Sequence, residues 1–451
     1  MRQMRTYLLL ATTLAVLVGI AYWDEWQTKQ DEEKKKTENK LTTIDPDKVT
    51  SGIYVFNSPE SPLSISFEKN DNGWVLTSPI NSKADSFAIE NLVKTIADYK
   101  YQQLVSKNKD DWKNYGLDPF VRQITLKQDD GKVTDVYVGS KAPVGFSVYV
   151  RNGESDDVYI GGQHLYTATE KKLSDFRDKT LLSVDVGNLA SFSLDLAKAP
   201  LVTVEKVESS FRLTKPMKAD ADKDAISDFF DSMASERVVE FIDTPDKKTQ
   251  SYFSKSKRLA TLSWSLSTGQ VETLYFSEFD GSLWAAYDPS KVVFKLPDTM
   301  KEKIRKQAGF FQDKTLVRFK ADDVTEVEVD GDTYQKVEKE WYVKSDASKA
   351  SDKENTPEPQ TFVKDLLVDL EFAKAGEILS SKNVPLKAAP KHRIKILFKE
   401  DLSKDPVVIN VWPGKTDEKS LYVKVSGDDR VFDVEASNFA NISPIKDKGQ
   451  F

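Results

Sequence analysis

An internal repeat constrains the fold of this chain more than any other sequence feature. Residues 176–182 (Phe-Arg-Asp-Lys-Thr-Leu-Leu) recur as residues 311–317 (Phe-Gln-Asp-Lys-Thr-Leu-Val), 135 positions further along. Residues 73–79 match residues 210–216 at an offset of 137, and residues 340–343 (Glu-Trp-Tyr-Val) mark a third, more divergent copy. Self-similarity at a fixed period indicates repeated structural units. We therefore predict three tandem divergent repeats, each large enough to be a domain.

Within each copy, the hydrophobic period changes in the same order. In the first copy, alternating apolar residues predict three strands, and Asp85 then stands at the N-cap of a predicted helix. The apolar residues of that helix follow helical spacing: Phe87, Ile89, Leu92, Val93, Ile96 and Tyr99. Four more strands follow. The predicted fold class is α+β, each repeat being a mainly antiparallel sheet with one longer helix (β-β-β-α-β-β-β-β) and a short closing helix in the first two copies.

The repeats also set the predicted domain boundaries. Repeat domain 1 is expected at residues 44–182, repeat domain 2 at residues 183–317 and repeat domain 3 at residues 318–451. The third copy contains a stretch rich in Ser, Lys, Glu and Pro at residues 345–360. This composition predicts a mobile insert.

The N-terminal segment has the pattern of a membrane anchor. Residues 7–23 are uncharged and largely apolar, and Arg2 and Arg5 precede them. As a helix this run spans about 25 Å, at the short end of what crosses a hydrocarbon core of about 30 Å. We predict a single transmembrane helix with residues 1–6 in the cytoplasm, a charged spacer at residues 24–43, and the body outside. A cleaved signal peptide and a buried soluble helix are the alternatives.

Composition excludes several functional classes. The chain of 451 residues has 65 Lys and Arg against 72 Asp and Glu, a net charge of −7. An acidic balance argues against sequence-independent binding of nucleic acid. Cysteine is absent and the only histidines are His164 and His392, which excludes thiol chemistry, disulfides, iron–sulfur clusters and the common structural zinc sites.

The recurring positions of the repeats have structural explanations. The Asp-Lys-Thr triplets at residues 178–180 and 313–315 are predicted to cap the short helix and to pair Asp with Lys. Trp74, Phe211 and Trp341 occupy equivalent strand positions and are predicted to lie in the cores, with carbohydrate stacking as the alternative.

No catalytic, cofactor-binding or metal-binding residue is predicted. The two histidines are not at metal-ligand spacing and are expected at the surface. Carboxylate pairs such as Asp110–Asp111 and Asp322–Asp323 are expected by chance in a chain with 30% charged residues, so a glycoside hydrolase is not favoured. Three glycines, at positions 131, 139 and 145, lack the spacing of nucleotide-binding loops.

Several motifs together resemble those of a bacterial family with a domain of unknown function. The motifs are residues 74–79, residues 115–119 (Tyr-Gly-Leu-Asp-Pro), Val138-Gly139 with residues 143–145, and residues 176–179. Members of that family are single-pass envelope proteins, often encoded beside ABC transporters of the gliding-motility type. The resemblance implies a protein of the bacterial inner membrane with a periplasmic body, and it transfers no catalytic residue.

The sequence therefore favours a non-enzymatic function. We expect a membrane-anchored scaffold or adaptor that binds an envelope protein such as a transporter permease through strand edges and grooves between copies. The alternative is a periplasmic module that binds a lipid, glycan or peptide in such a groove and delivers it to a transporter. A hydrolase is the third hypothesis.

Overall fold

The computed structural model describes residues 39–441, except for residues 59, 144, 351–356, 381–383, 385, 387–388 and 416–418. The chain forms two compact units, one ending at Thr180 and the other beginning at Leu181. The first unit contains the first repeat, and the second unit contains the other two.

The first repeat is built on a nine-stranded sheet in which every neighbouring pair is antiparallel. The order across the sheet is β4-β3-β2-β1-β6-β7-β8-β9-β5. The strands are β1 (Val49–Phe56), β2 (Leu63–Asn70), β3 (Gly73–Ser78), β4 (Ser82–Lys83), β5 (Tyr101–Ser106), β6 (Arg122–Gln128), β7 (Val133–Lys141), β8 (Ser147–Asn152) and β9 (Val158–Gly162). Its helices are α1 (Ser86–Asp98), α2 (His164–Ala168) and α3 (Leu173–Phe176).

The second repeat has the same topology, in the order β13-β12-β11-β10-β15-β16-β17-β18-β14. The strands are β10 (Leu189–Leu196), β11 (Val202–Val207), β12 (Ser210–Lys215), β13 (Ala219–Ala221), β14 (Glu240–Ile242), β15 (Ala260–Leu266), β16 (Val271–Phe279), β17 (Ser282–Ala286) and β18 (Val293–Leu296). Its helices are α4 (Lys223–Ala234), α5 (Lys247–Ser251), α6 (Met300–Ile304) and α7 (Ala308–Phe311).

The third repeat has an eight-stranded sheet in the order β21-β20-β19-β23-β24-β25-β26-β22. The strands are β19 (Val324–Val329), β20 (Asp332–Val337), β21 (Glu340–Val343), β22 (Glu377–Ser380), β23 (His392–Phe398), β24 (Val407–Pro413), β25 (Ser420–Val425) and β26 (Arg430–Glu435), and its long helix is α8 (Thr361–Phe372). The prediction of three mainly antiparallel sheets is confirmed.

The element order differs from the prediction in its short strands. Each of the first two repeats has one extra strand before the long helix, β4 or β13, and each of the three has one after it, β5, β14 or β22. The strands before the helix have two or three residues, which is too short to show an alternating pattern. Two short helices, rather than one, close each of the first two repeats.

Each long helix covers its sheet with an apolar stripe. Asp85 caps α1 as predicted, because its Oδ1 accepts a hydrogen bond of 3.1 Å from the backbone N–H of Ala88. The predicted stripe residues are buried from Ile89 onward, but Phe87 is 77% exposed. Phe87 lies in the first turn of the helix and outside the buried face.

The predicted membrane anchor is corrected by the structure. Among the residues that the structure describes, no helix is both long and apolar enough to cross a membrane. The longest, α1, has 13 residues and a length of about 20 Å, against a hydrocarbon core of about 30 Å. The segments at residues 1–6 and 7–23, and most of the spacer at residues 24–43, lie outside the described residues. The predictions of a transmembrane helix in the fold, a single-pass inner-membrane location and membrane contact through that helix are wrong on this finding.

The insert at residues 345–360 is described in part. Ala347–Lys349 form a 3-10 turn, and Ala347 is buried. Residues 351–356 lie outside the described residues, so the predicted mobility of the insert stays a prediction.

Candidate functional site

The repeated motif at residues 176–182 and 311–317 closes each core. Phe176 and Phe311 are fully buried. The carbonyl of Phe176 accepts a hydrogen bond of 2.9 Å from the N–H of Asp85, and that of Phe311 accepts one of 2.8 Å from Asp222. The motif thus ties the end of a repeat to the beginning of its long helix.

The aspartates of this motif stabilise the turn that follows the phenylalanine. Oδ1 of Asp178 accepts from the N–H of Thr180 at 2.9 Å, and its Oδ2 lies 3.1 Å from Nζ of Lys83. Burial alone would raise the pKa of Asp178, but these hydrogen bonds and the Lys83 charge outweigh it and hold the pKa below its usual value. Lys179 pairs instead with Asp175, at 3.7 Å. The triplet is therefore structural, although the partner of Asp178 is not the adjacent lysine.

The second copy of the triplet uses different partners. Oδ1 of Asp313 accepts from the N–H of Thr315 at 2.8 Å, and Oδ2 pairs with Arg318. Burial opposes ionisation here too, yet the Thr315 and Arg318 hydrogen bonds keep the pKa of Asp313 below its usual value. Lys314 Nζ donates to the carbonyl of Gly376 in the third repeat, at 2.7 Å.

The three equivalent aromatic residues lie in the cores. Trp74, Phe211 and Trp341 are each 3% exposed, so none offers a stacking face to a carbohydrate. The indole Nε1 of Trp74 donates to Oε1 of Glu90 on α1 at 3.3 Å.

The Tyr-Gly-Leu-Asp-Pro motif packs directly against the Val138-Gly139 motif. Gly116 ends a 3-10 segment in the left-handed conformation with φ of 67°. A Cβ at Gly139 would lie 2.2 Å from the carbonyl oxygen of Tyr115, and a Cβ at Gly116 would lie 2.3 Å from Oγ of Ser140. The Tyr-Gly-Leu-Asp-Pro motif and the Val138-Gly139 motif are separate in sequence, and they contact each other closely in the fold.

An arginine is enclosed beside this contact. The guanidinium of Arg151 lies 3.8 Å from the ring centroid of Trp112 and 3.6 Å from that of Tyr137. Burial lowers the pKa of Arg151, which is 7% exposed. Cation–π contacts with these two rings explain how the charge is accommodated.

The remaining polar candidates do not converge on one site. His164 is exposed, whereas His392 lies 2.7 Å from Oδ2 of Asp330. Each carboxylate pair lies in a 3-10 segment, Lys109–Tyr115 or Ala321–Asp323. Within the described part of the chain, no three His, Asp or Glu residues are placed to hold a metal ion.

The second unit contains a groove of about 750 Å³ between the second and third repeats. It lies between the terminal strands of two sheets, with β12 and β13 on one side and β22 on the other. Apolar side chains line it: Val207, Leu213, Met217, Ile378 and Leu379. We call this feature the inter-repeat groove.

Main-chain hydrogen bonds fix the two walls of the inter-repeat groove. Leu316 donates to the carbonyl of Ala373 at 3.0 Å, and Ala375 donates to that of Lys314 at 2.8 Å. These bonds lie directly before β22, so the position of this strand relative to the second repeat is determined by backbone geometry.

The charges of the inter-repeat groove are mainly basic. Arg212, Lys218 and Arg430 line it together with Asp220, and Arg212 Nε lies 3.6 Å from the Asp220 carboxylate. Arg430 binds Asp428 with two parallel hydrogen bonds of 2.9 and 2.6 Å. That carboxylate, with smaller contributions from more distant aspartates, holds the pKa of Arg430 above its usual value.

Sequence reasoning anticipated grooves between copies but named none of these residues. Asp220 and Arg430 are more than two hundred positions apart, and neither belongs to a repeated motif. The only available signal was the position of β13 and β22 at sheet edges, which depends on strand pairing.

A family described as a domain of unknown function (DUF4340) matches the chain twice, at residues 74–255 and at residues 212–392. The two matches together cover well over half of the sequence. The chain belongs to this family. Both DUF4340 matches begin at the third strand of a repeat, so the family pattern itself recurs with the period of the structural repeat. No curated protein and no solved structure matches the chain.

Proposed function

We propose that this DUF4340 chain is a non-enzymatic scaffold or adaptor that binds a partner protein in the inter-repeat groove. The observation that carries the proposal is the position of this groove between terminal strands of two sheets. A terminal strand presents backbone N–H and C=O groups that an extended peptide can pair with. Among the described residues, β22 has a strand neighbour on one side only, namely β26.

The side chains of the inter-repeat groove fit a peptide partner. Met217 is 41% exposed, and Ile378 and Leu379 are partly exposed, so apolar surface is available on both walls. In strand addition, main-chain hydrogen bonds supply affinity and such side chains select the partner. Arg212 and Arg430 are each paired with an aspartate of the same chain, so their roles are structural. This favours a binding site over a catalytic one.

The partner that we propose is a component of an ABC transporter used in motility or export. This part of the proposal rests on the resemblance of the sequence motifs alone.

A ligand-binding module is the second candidate, because the volume of the inter-repeat groove falls within the range of about 300–1,000 Å³ that is typical of small-molecule sites. Its ligand would be a lipid, glycan or peptide that is delivered to a transporter.

Affinity purification of the full chain from its own cells distinguishes the two candidates. Co-purifying proteins and small molecules are both identified by mass spectrometry. The test variant is Met217→Lys/Leu379→Lys, and the control is Val271→Lys, which changes a valine that is 69% exposed and outside the inter-repeat groove.

The adaptor proposal predicts a protein recovered at a constant ratio with wild type and with Val271→Lys, and lost with the groove variant. A small molecule recovered in the same groove-dependent way, with no protein, would favour the ligand-binding module. Equal recovery by all three forms would contradict both.

A further inference from the structure

The long helix of the third repeat has an outward face unlike those of the other two. The buried residues of the three helices are in register at intervals of 137: Ile89, Ile226 and Val363; Leu92, Phe229 and Leu366; Val93, Phe230 and Leu367; Ile96, Met233 and Leu370. The same register aligns three outward-facing positions of each helix. These positions are Glu90, Lys94 and Asp98 in the first repeat, Ser227, Asp231 and Ser235 in the second, and Lys364, Val368 and Phe372 in the third. Of the three repeats, the third alone therefore carries apolar residues at the last two of these positions, Val368 and Phe372.

These apolar side chains are exposed. Val368 is 43% exposed and Phe372 is 74% exposed. Residues four apart are neighbours on a helix surface, so the two form a short apolar stripe along α8. The polar residues at equivalent positions show that packing within a repeat does not require this stripe.

A pocket of about 600 Å³ adjoins the stripe. Its apolar lining consists of Ala321, Val324, Trp341, Leu367 and Val368. Four lysines and two acidic residues surround it: Lys336, Lys339, Lys364, Lys399, Asp322 and Glu338. Lys336 lies 3.4 Å from Oδ1 of Asp322, and the lining as a whole still has two more basic than acidic groups, in a chain whose net charge is −7.

One substitution between repeats reverses the charge at this pocket. In the first repeat, Glu90 accepts the indole hydrogen bond of Trp74. Lys364 takes the position of Glu90, and Trp341 takes that of Trp74. A carboxylate next to the tryptophan has therefore been replaced by an ammonium group, which changes what can bind there.

We infer that the pocket and the stripe form a docking surface for an acidic segment of a partner protein. An apolar side chain of that segment enters the pocket beside Val368, its exposed apolar wall, and carboxylates on either side of it pair with the lysines that line the pocket. Val368 and Phe372 cover the next turn of the segment. Charge complementarity selects an acidic partner over a basic one and makes the affinity fall with salt.

This inference rests on the proposed adaptor function in one respect, namely that the partner is a protein. The surface shares no lining residue with the inter-repeat groove. The groove variant Met217→Lys/Leu379→Lys should leave binding here unchanged, so failure of one proposal can be distinguished from failure of the other.

Peptide selection tests the inference directly. A phage library of random twelve-residue peptides is selected on the full-length chain and counter-selected on Lys364→Glu/Val368→Lys/Phe372→Asp, which installs the residues of the first repeat. Selected peptides are then synthesised and titrated by fluorescence anisotropy at two salt concentrations, with Val271→Lys as the control.

The expected consensus has at least one Leu, Ile, Phe or Trp flanked by Asp or Glu. Its affinity should fall at least tenfold in the triple variant and with added salt, and stay unchanged in Val271→Lys and in the groove variant. A basic or neutral consensus, no enriched peptide, or equal affinity for wild type and triple variant would each overturn the inference.

Discussion

Lys374 of the third repeat donates a hydrogen bond of 2.8 Å from its Nζ to Oδ2 of Asp222 in the second repeat. The other oxygen of the same carboxylate caps α4, since Oδ1 accepts from the N–H groups of Asp224 at 2.9 Å and Ala225 at 3.4 Å. The hydrogen bond to Asp222 raises the pKa of Lys374 above its usual value. One side chain therefore begins a helix and also contacts the next repeat.

Replacement of Asp222 separates these two roles. Asp222→Ala removes the cap and the ion pair, and should lower the free energy of unfolding of the second unit by about 1–2 kcal/mol. Asp222→Asn keeps an oxygen for the cap and should cost less, because an ion pair with a half-exposed lysine contributes about 0–1 kcal/mol. Urea denaturation of both variants is the measurement, and equal losses would show that the cap contributes nothing.

Gly139 should not tolerate a side chain. Gly139→Ala places a methyl group against the Tyr115 carbonyl, so the backbone must shift, at a cost of about 1–3 kcal/mol in the free energy of unfolding. Gly309→Ala is the matched control, because no atom lies within 4 Å of the position that its Cβ would take. Thermal unfolding should show a lower Tm for Gly139→Ala alone. Similar Tm values for the two variants would argue against the close contact between the motifs.

The phenylalanine of the repeated motif should contribute most of the motif's stability. Phe311 is fully buried, with its ring centroid 5.1 Å from those of Phe192 and Phe229. Phe311→Ala should lower the free energy of unfolding by about 3–5 kcal/mol, as expected for a large buried aromatic residue. The adjacent Phe310 is only partly buried, and Phe310→Ala should cost clearly less. Chemical denaturation of the two variants provides the comparison.

Acid should remove the contribution of Asp313. The pKa of Asp313 is lower in the folded chain than in the unfolded chain, so ionisation of Asp313 stabilises the fold above about pH 4. This stabilisation is lost as the pH falls through the folded-state pKa. Asp313→Asn should therefore be less stable than wild type at pH 7, by about 1 kcal/mol. The difference should shrink as the pH falls below about 4 in denaturation experiments. A difference that is constant with pH would contradict the assignment.

The repeats and the helix cap could be predicted because they depend on local sequence. Asp85 is followed by helically spaced apolar residues, and these features determine a helix without reference to the rest of the fold. The Asp178–Lys83 pair could not be predicted in the same way, since the two residues meet only after β4 has joined the edge of the sheet.

The inter-repeat groove lay beyond sequence reasoning for the same physical reason. Its walls come from β13 and β22, two very short strands whose positions depend on pairing with β12 and β26. A pattern of three or four residues carries too little periodicity to identify such strands. No local feature of the sequence indicates that the sheet edge of one repeat faces the sheet edge of the next.

Amide hydrogen exchange on the purified complex tests whether a partner protein binds as an added strand in the inter-repeat groove. Exchange is measured by mass spectrometry on the full chain alone and with the groove-dependent partner bound. We expect slower exchange in Glu377–Ser380 and in the facing strands β12 and β13 when the partner is bound. Unchanged exchange in β22, with protection elsewhere or nowhere, would contradict it.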